Sequence, residues 1–314
     1  MDDISNHPPI PFALFGAAGY VAPRHMQAIR DTGNQLVAAL DPYDNVGALD
    51  SYFMDCSFFT MFERFDRFLD KWRRDGNPIQ WLSIATPNHL HDAHIRYGLR
   101  NGCNVICEKP LVIMPRNLEG ITELEKETER RVFCVMQLRK HPAILELKRS
   151  VDAKLAIDPT YTFRVNLSYI TLRGPWFSQS WKGTEDLSGG LAANIGIHFL
   201  DMLIWIFGPE LETELYWNDA QNIHGQSWLN HANVGWLLST SEDGLPDGYL
   251  ESGQRAYRSL VVDETEIEFS GGFDNLHTEV YRDALDGRGV GISDARPSIE
   301  LAHKIRNLKG RRGV

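Results

Sequence analysis

The sequence predicts an α/β fold in two parts. A doubly wound parallel sheet comes first, followed by an α/β domain built on a large, mostly antiparallel open sheet. Three observations predict it. Short apolar runs alternate with helix-period segments over the first 150 residues, the rhythm of parallel strands joined by crossover helices. Beyond about residue 150, strand patterns outnumber helices, as in antiparallel sheets covered on one face. The length of 314 residues suits about two domains, expected at 1–140 and 141–314, with the C-terminal helix packing back on the first.

Each element has its own signal. "IPFALFG" (10–16) and "LVAALD" (36–41) are apolar strands. "MFERFDRFLDKWRR" (61–74) places Phe62, Phe65, Phe68, Leu69 and Trp72 on one helical stripe. "IQWLSIATP" (79–87) is a strand ending in a turn, and "HDAHIRYGLRNG" (91–102) a helix stopped at Gly102. "NVICEKP" (104–110), "RNLEGITELEKETERR" (116–131) and "VFCVMQL" (132–138) read as strand, helix and strand. In the second part, "PTYTFRVNLSYITLR" (159–173) is a long strand and "GGLAANIGIHFLDMLIWIFG" (189–208) a buried helix bounded by glycines. "HANVGWLLSTS" (231–241) and "YRSLVVDETEIEFS" (257–270) are further strands. Helices near 274–286 and 293–309 close the chain, and "KGRRGV" reads as a frayed tail. No internal repeat or low-complexity tract interrupts the pattern.

A net charge of −10 argues against nonspecific nucleic-acid binding, which needs a basic footprint. An anionic substrate would need local cations. Cys56, Cys103, Cys107 and Cys134 form no C-x-x-C pair, so they read as reduced thiols. No apolar run approaches the ~18 residues of a membrane span, and "MDDISNHPPI" lacks the regions of a signal peptide. A cytoplasmic protein is expected, without membrane or nucleic-acid partners.

The chemistry-bearing motifs sit at strand ends. A parallel sheet binds phosphates at the turn after its first strand, where backbone N–H groups and a helix N-terminus face the pyrophosphate. Strict G-x-G-x-x-G spacing from Gly16 puts Ala18 and Val21 at glycine positions. One inserted residue aligns Gly16, Gly19 and Ala22 instead. The turn alone fits a cofactor cradle and a plain strand–turn–helix equally. Asp41, 25 residues after Gly16, favours the cradle, since a carboxylate there holds ribose hydroxyls and repels a 2′-phosphate. That makes NAD the expected cofactor. Thr86, Pro87 and Asn88 follow another strand end, where they serve as cofactor contacts, as a helix start, or both. His89, His91 and His94 read as a helix surface, and no metal site is expected. Lys109, beside Glu108 at a strand end, is a candidate to polarise a hydroxyl or carbonyl. Asn194, His198 and Asp201 fall near one helical face, and by themselves fit a capping Asn and a core His. His277 and Tyr281, four residues apart, either reach a nucleotide or share a helix face.

The glycine turn, Asp41, "TPN", "EKP" and "NIGIHFLD", in this order, resemble the Gfo/Idh/MocA oxidoreductases, which join a Rossmann-type domain to an α/β domain. The stretches "GAAGYVAPRHMQAI", "QLRKHPAI", "SYITLRGPWF", "NIGIHFLDML", "YRSL" and "GRGVGISDAR" resemble the UDP-N-acetylglucosaminuronate 3-dehydrogenase branch (WlbA/WbpB type). The resemblance implies oxidation of the sugar C3 hydroxyl with NAD, and recycling of NADH by 2-oxoglutarate in some members. The product passes to a PLP-dependent aminotransferase on the way to surface polysaccharide (O-antigen). It implies a homo-oligomer, dimer or tetramer, through the open sheet. It assigns catalysis to Lys109 and His198, with either as the base, and Asn194 stands where many members carry Asp. The cofactor set comprises Gly16, Ala17, Ala18, Gly19, Tyr20, Val21 and Asp41 at the first turn. Thr86, Pro87, Asn88, His91, Glu108, Lys109 and Trp176 complete it. Substrate contacts fall to Lys109, Arg173, Trp181, Lys182, Asn194, His198, His277 and Tyr281. Two rival classes share these motifs: an NAD-assisted glycosidase acting through a 3-keto intermediate, and a nonenzymatic NAD–sugar regulator.

Overall fold

Phe12, Ala13, Leu14 and Phe15 are all fully buried, which a strand achieves when both faces of its sheet are covered. They form most of β1 (Pro11–Phe15) in the computed structural model, which describes residues 8–267, 269 and 271–308. The expectations for residues 1–7 and for "KGRRGV" lie outside the described residues. After β1 come α1 (Ala22–Asp31), β2 (Gln35–Leu40), α2 (Ala48–Tyr52), β3 (Ser57–Phe59), α3 (Phe62–Arg74) and β4 (Trp81–Ile84). Then follow α4 (His91–Arg100), β5 (Asn104–Cys107), α5 (Asn117–Thr128) and β6 (Val132–Cys134). The strands pair in parallel in the order β3-β2-β1-β4-β5-β6. Strand order reverses between β1 and β4, and such a point leaves a ligand crevice at the carboxyl ends of the strands.

The stripe expected on α3 is narrower than its sequence suggests. Phe65 and Leu69 are buried, whereas Phe62 is 47% exposed. The helix lies beside the edge strand β3, and Phe59 meets the Phe65 and Phe68 rings at 5.9 and 5.1 Å. An edge strand covers less of a helix than a central one does. α4 packs closer. A Cβ on Gly98 would stand 2.8 Å from Val105 Cγ2 and 3.0 Å from Leu82 Cδ2.

The second sheet is carried by α6 (Pro142–Ile157), β7 (Phe163–Thr171), α7 (Trp176–Gln179), α8 (Glu185–Ser188), α9 (Ile197–Phe207), β8 (Glu210–Asn218), β9 (Asn222–Leu229), β10 (Ala232–Ser239), β11 (Ala256–Val262) and β12 (Thr265–Glu266). α10 (Leu276–Leu285) and α11 (Ile292–Asn307) end the described chain. The order is β12-β11-β7-β10-β9-β8. β7 and β10 run parallel and every other pair antiparallel, the mixed and mostly antiparallel sheet expected. Along β9 alternate residues are buried, so one face meets the core. That core includes Ile144, Leu147 and Val151 of α6 and Leu301 and Ile305 of α11. α6 goes unnoticed in the sequence pattern because three buried residues in sixteen make a thin stripe.

α9 is apolar nearly all round and buried, as such a helix must be. The stretch Glu185–Phe207 is long and apolar enough to cross a membrane, with 72% of its apolar window buried inside the protein. This corrects the expectation that no run approaches that length, and the core of the second sheet accounts for the apolarity.

By contacts the chain forms two compact units. The first holds Met1–Val112, Arg116–Val135 and Asn275–Asp294, and the second Ile113–Pro115, Met136–Asp274 and Ala295–Val314. α10 therefore belongs to the parallel-sheet unit although it follows the second sheet in sequence. Tyr281, fully buried, stacks on Phe12 at 5.9 Å. All four cysteines are free, and burial pushes the Cys56 and Cys103 thiols up to about 12. Gly98→Val should lower stability by about 2 kcal/mol through overpacking against Leu82 and Val105, measured as a reduced urea midpoint with unchanged m-value.

Candidate active site

β1 delivers the chain to Gly16, whose N–H donates to Leu40 O at 2.8 Å. Gly16 has φ +87°, and a Cβ there would stand 2.7 Å from the carbonyl atoms of Ala85 and 2.8 Å from Thr86 N. Both conditions exclude a side chain. The turn closes through Gly19 N–H to Gly16 O at 3.1 Å and Ala22 N–H to Gly19 O at 3.0 Å. Ala18 is not in the left-handed region. The turn thus has no need of glycine at the position where strict spacing expects one. Instead the Ala18 N–H donates to Asp41 Oδ2 at 3.0 Å, while Asp41 Oδ1 accepts from Tyr43 N–H at 3.0 Å. The buried Asp41 ties the turn to the end of β2, and each oxygen keeps acceptor capacity for a ribose hydroxyl.

α1 opens after Val21 with no side-chain cap and no acidic residue in its first turn. The positive end of the helix suits a pyrophosphate. Tyr20, 91% exposed, stands free beside the turn, whereas the Ala17 methyl is buried in the core. The residues present fit a dinucleotide.

Across the switch point, the Thr86 hydroxyl lies 3.0 Å from His94 Nδ1. Burial, with the charges of His91 and His89, pushes His94 down to about 4. Its ring packs on Phe15 at 4.7 Å. Asn88 is buried and Pro87 half-buried. The cofactor contact expected of His91 is corrected by the structure. His91 is fully buried, with Nδ1 2.7 Å from Pro110 O and Nε2 2.8 Å from Thr86 O. Burial lowers its pKa against the pull of these two carbonyls. His91 links the "TPN" turn to the "EKP" turn and has no face left for a ligand.

Glu108 is likewise turned inward. Its Oε1 meets Nε2 of His25 at 3.2 Å and Nε2 of His277 at 3.0 Å. His25 Nδ1 lies 2.7 Å from the Tyr281 hydroxyl, which lies 2.6 Å from Ser83 Oγ. Burial opposes charge on Glu108, but the His25 and His277 hydrogen bonds outweigh it and hold the carboxyl well below its usual range. Burial pushes the His25 imidazole down, keeping it neutral. The substrate role expected of Tyr281 is corrected accordingly, since it is fully buried and its hydroxyl meets His25 and Ser83; Glu108 Oε1 and His277 Nε2 are engaged with the same group. Among the described residues, His25, Glu108 and His277 are also the one group of metal-ligand types with atoms within 4.8 Å of each other. His25 was missed in the sequence. Its signal was positional: Ala22, His25, Met26 and Ile29 are the buried face of α1, and a His on such a face needs a partner. Lys109, between the buried Glu108 and Pro110, is half-exposed.

In the second unit, Ala192–Gly196 forms a π-turn that runs into α9. Asn194 lies in this wide turn, and His198 follows it in the first turn of α9. Asn194 is buried and His198 half-buried. Both oxygens of Asp201 accept from Arg139, at 2.8 Å each. Arg173 and Trp176 are exposed, Trp181 and Lys182 half-buried. Lys182 Nζ lies 4.6 Å from the Trp181 ring and 5.7 Å from that of Trp176, a cation–π arrangement. Burial and the Arg173 charge lower its pKa. Lys182 also lines a cavity of about 350 Å³ with Ser188, Gly189, Ala192 and Arg306.

Comparison with known proteins places this geometry. A model of the "Oxidoreductase family, NAD-binding Rossmann fold" matches residues 10–136, and that family's "C-terminal alpha/beta domain" matches residues 156–227. The WlbA (WbpB) dehydrogenase from Thermus thermophilus, solved in complex with NAD and UDP-GlcNAcA, is 44% identical with a TM-score of 0.92, covering 97% of both chains. The same dehydrogenase with NAD and alpha-ketoglutarate is 45% identical, with a TM-score of 0.91 and 97% coverage of each chain. The oxidoreductase YteT of Bacillus subtilis is 27% identical over 69% of this chain, which spans 59% of that relative's length. Matched at this level along almost its whole length, the chain belongs to the Gfo/Idh/MocA oxidoreductase family, and its parallel sheet is that family's NAD-binding Rossmann fold.

Proposed function

We propose that the protein is a sugar-nucleotide dehydrogenase that oxidises the C3 hydroxyl of UDP-N-acetylglucosaminuronate to the 3-keto sugar. The observation that carries this reading is the 44% identity over 97% of the chain to a dehydrogenase solved with NAD and UDP-GlcNAcA. Lys109 and His198 stand in this chain at the motif positions the family uses. NAD, when bound, supplies the acceptor for the hydride that leaves C3.

The chain's own residues do the rest. Gly16 and Gly19 keep the turn bare, the N-terminus of α1 receives the pyrophosphate, and Asp41 takes the ribose hydroxyls while repelling a 2′-phosphate. His198, of a residue type that titrates near neutrality, takes the hydroxyl proton. Lys109 donates a hydrogen bond to that oxygen and stabilises its developing charge. Asn194 orients, since an amide cannot relay a proton as a carboxylate does. Arg173 and Lys182 answer the substrate's phosphates or carboxylate, and Trp181 shields them from water. Trp176 packs with the nicotinamide. The product fits a PLP-dependent aminotransferase step towards cytoplasmic assembly of surface polysaccharide. 2-Oxoglutarate would serve as the acceptor that returns the reduced cofactor to NAD, itself being reduced to the 2-hydroxy acid, and the open sheet pairs copies into a dimer or tetramer.

The direct test is to incubate the purified protein with UDP-N-acetylglucosaminuronate, with and without 2-oxoglutarate, and follow the 3-keto product by mass. Absence of the keto sugar under both conditions refutes the assignment, and release of free UDP points to the glycosidase class instead. Lys109→Ala should reduce turnover by roughly 10²–10⁴-fold, while NAD affinity, read by fluorescence titration, stays near wild type. Ala18→Phe should weaken NAD binding by more than about tenfold, since the bulk enters a turn that pairs with Asp41. Its melting temperature should fall much less.

A further inference from the structure

With Glu108 ionised and His25 neutral, the buried polar chain around Glu108 has a consistent order of protons. An ionised carboxylate only accepts, so Nε2 of both His25 and His277 must donate to its Oε1. A neutral His25 then has a bare Nδ1, which takes the Tyr281 hydroxyl proton at 2.7 Å. The Tyr281 oxygen in turn accepts from Ser83 Oγ at 2.6 Å. The chain draws on β4, α1, α10 and the turn after β5, all within one compact unit. On the other side of Lys109, the Pro110 carbonyl is held by His91, which also meets the Thr86 carbonyl. Residues 108 and 110 are thus both anchored in buried hydrogen bonds, while Lys109 between them is half-exposed.

We propose that the Ser83–Tyr281–His25–Glu108–His277 chain is a positioning device that aims Lys109. It rests on the reading above that Lys109 serves the reaction. Glu108, His25, His277 and Tyr281 act through Lys109 and are positioning residues. Their contribution is geometric, and a misplacement of even 1 Å is costly in rate.

The test uses the full-length protein with NAD and UDP-N-acetylglucosaminuronate. Glu108→Gln keeps the shape of the acceptor and removes its charge. Tyr281→Phe keeps the ring in the core and breaks the chain between Ser83 and His25. Each should lower kcat roughly tenfold or more with KM for NAD nearly unchanged. His277→Gln, which keeps an N–H donor, should retain most of the activity that His277→Leu loses. A second readout is independent of turnover: acylation of Lys109 by an amine-selective reagent, followed by peptide mass spectrometry. In Glu108→Gln and Tyr281→Phe it should rise severalfold relative to Lys140. Unchanged kcat and unchanged labelling in both variants overturn the proposal. So does stoichiometric zinc in the purified protein by elemental analysis, because a metal on the two Nε2 atoms would displace the protons assigned there. If Lys109→Ala turns over normally, the catalytic reading of Lys109 fails, and the labelling still decides whether the chain positions it.

Discussion

The close approach of Gly16 to the Ala85–Thr86 backbone is the constraint from which the first unit's site follows. β1 sits between β2 and β4, and its exit turn passes so near the end of β4 that a Cβ would overlap backbone atoms. A side chain there would have to push two central strands apart. Kept bare, the turn can fold back, release α1 with an uncapped N-terminus, and present Ala18 N–H to Asp41. The ends of three adjacent strands are thereby locked together by backbone contact and one buried carboxylate. This rigidity suits a cofactor cradle, because preorganised donors have little freedom left to lose on binding.

A second constraint is the cost of burying charge. Glu108 lies at the end of β5 in an apolar sheet, where an unpaired carboxylate would be expensive. Two histidines from helices far apart in sequence meet its Oε1, and Tyr281 and Ser83 complete the hydrogen bonding of one of them. The same Tyr281 stacks on Phe12. Polar satisfaction and apolar packing therefore both draw α10 into the parallel-sheet unit. Arg139 and Asp201 solve the same problem in the second unit, where a bidentate pair neutralises an aspartate on the otherwise apolar α9.

Much of this was legible in the residues. The alternation of apolar runs and helix periods locates five of the six parallel strands, since a strand buried on both faces must read as a continuous apolar run; the short, half-buried edge strand β3 carries no such run. Gly16, Gly19 and Asp41 were legible as a bare turn beside a strand-end carboxylate because turn geometry is local and its chemistry is carried by a few residue types. Other roles were not. His91, Glu108, His277 and Tyr281 have the polar groups of ligand-contacting side chains, and nothing in their spacing says that those groups face inward. The thin stripe of α6 and the π-turn before α9 were equally silent, because neither depends on a pattern that neighbouring residues announce.

The sequence by itself determined the strand–helix alternation of the first part, the two-part α/β architecture and the bare glycine turn with its acidic partner. These depend on short-range periodicity, backbone sterics and motif spacing, all of which act within a few tens of residues. Only the tertiary structure decided the return of α10 to the first unit, the inward turn of Glu108 and its histidines, and the pairing of Arg139 with Asp201. Those depend on which buried polar atoms meet across 62 to 256 positions of chain. Such meetings are set by desolvation and packing in three dimensions, and they leave no periodic mark on the sequence.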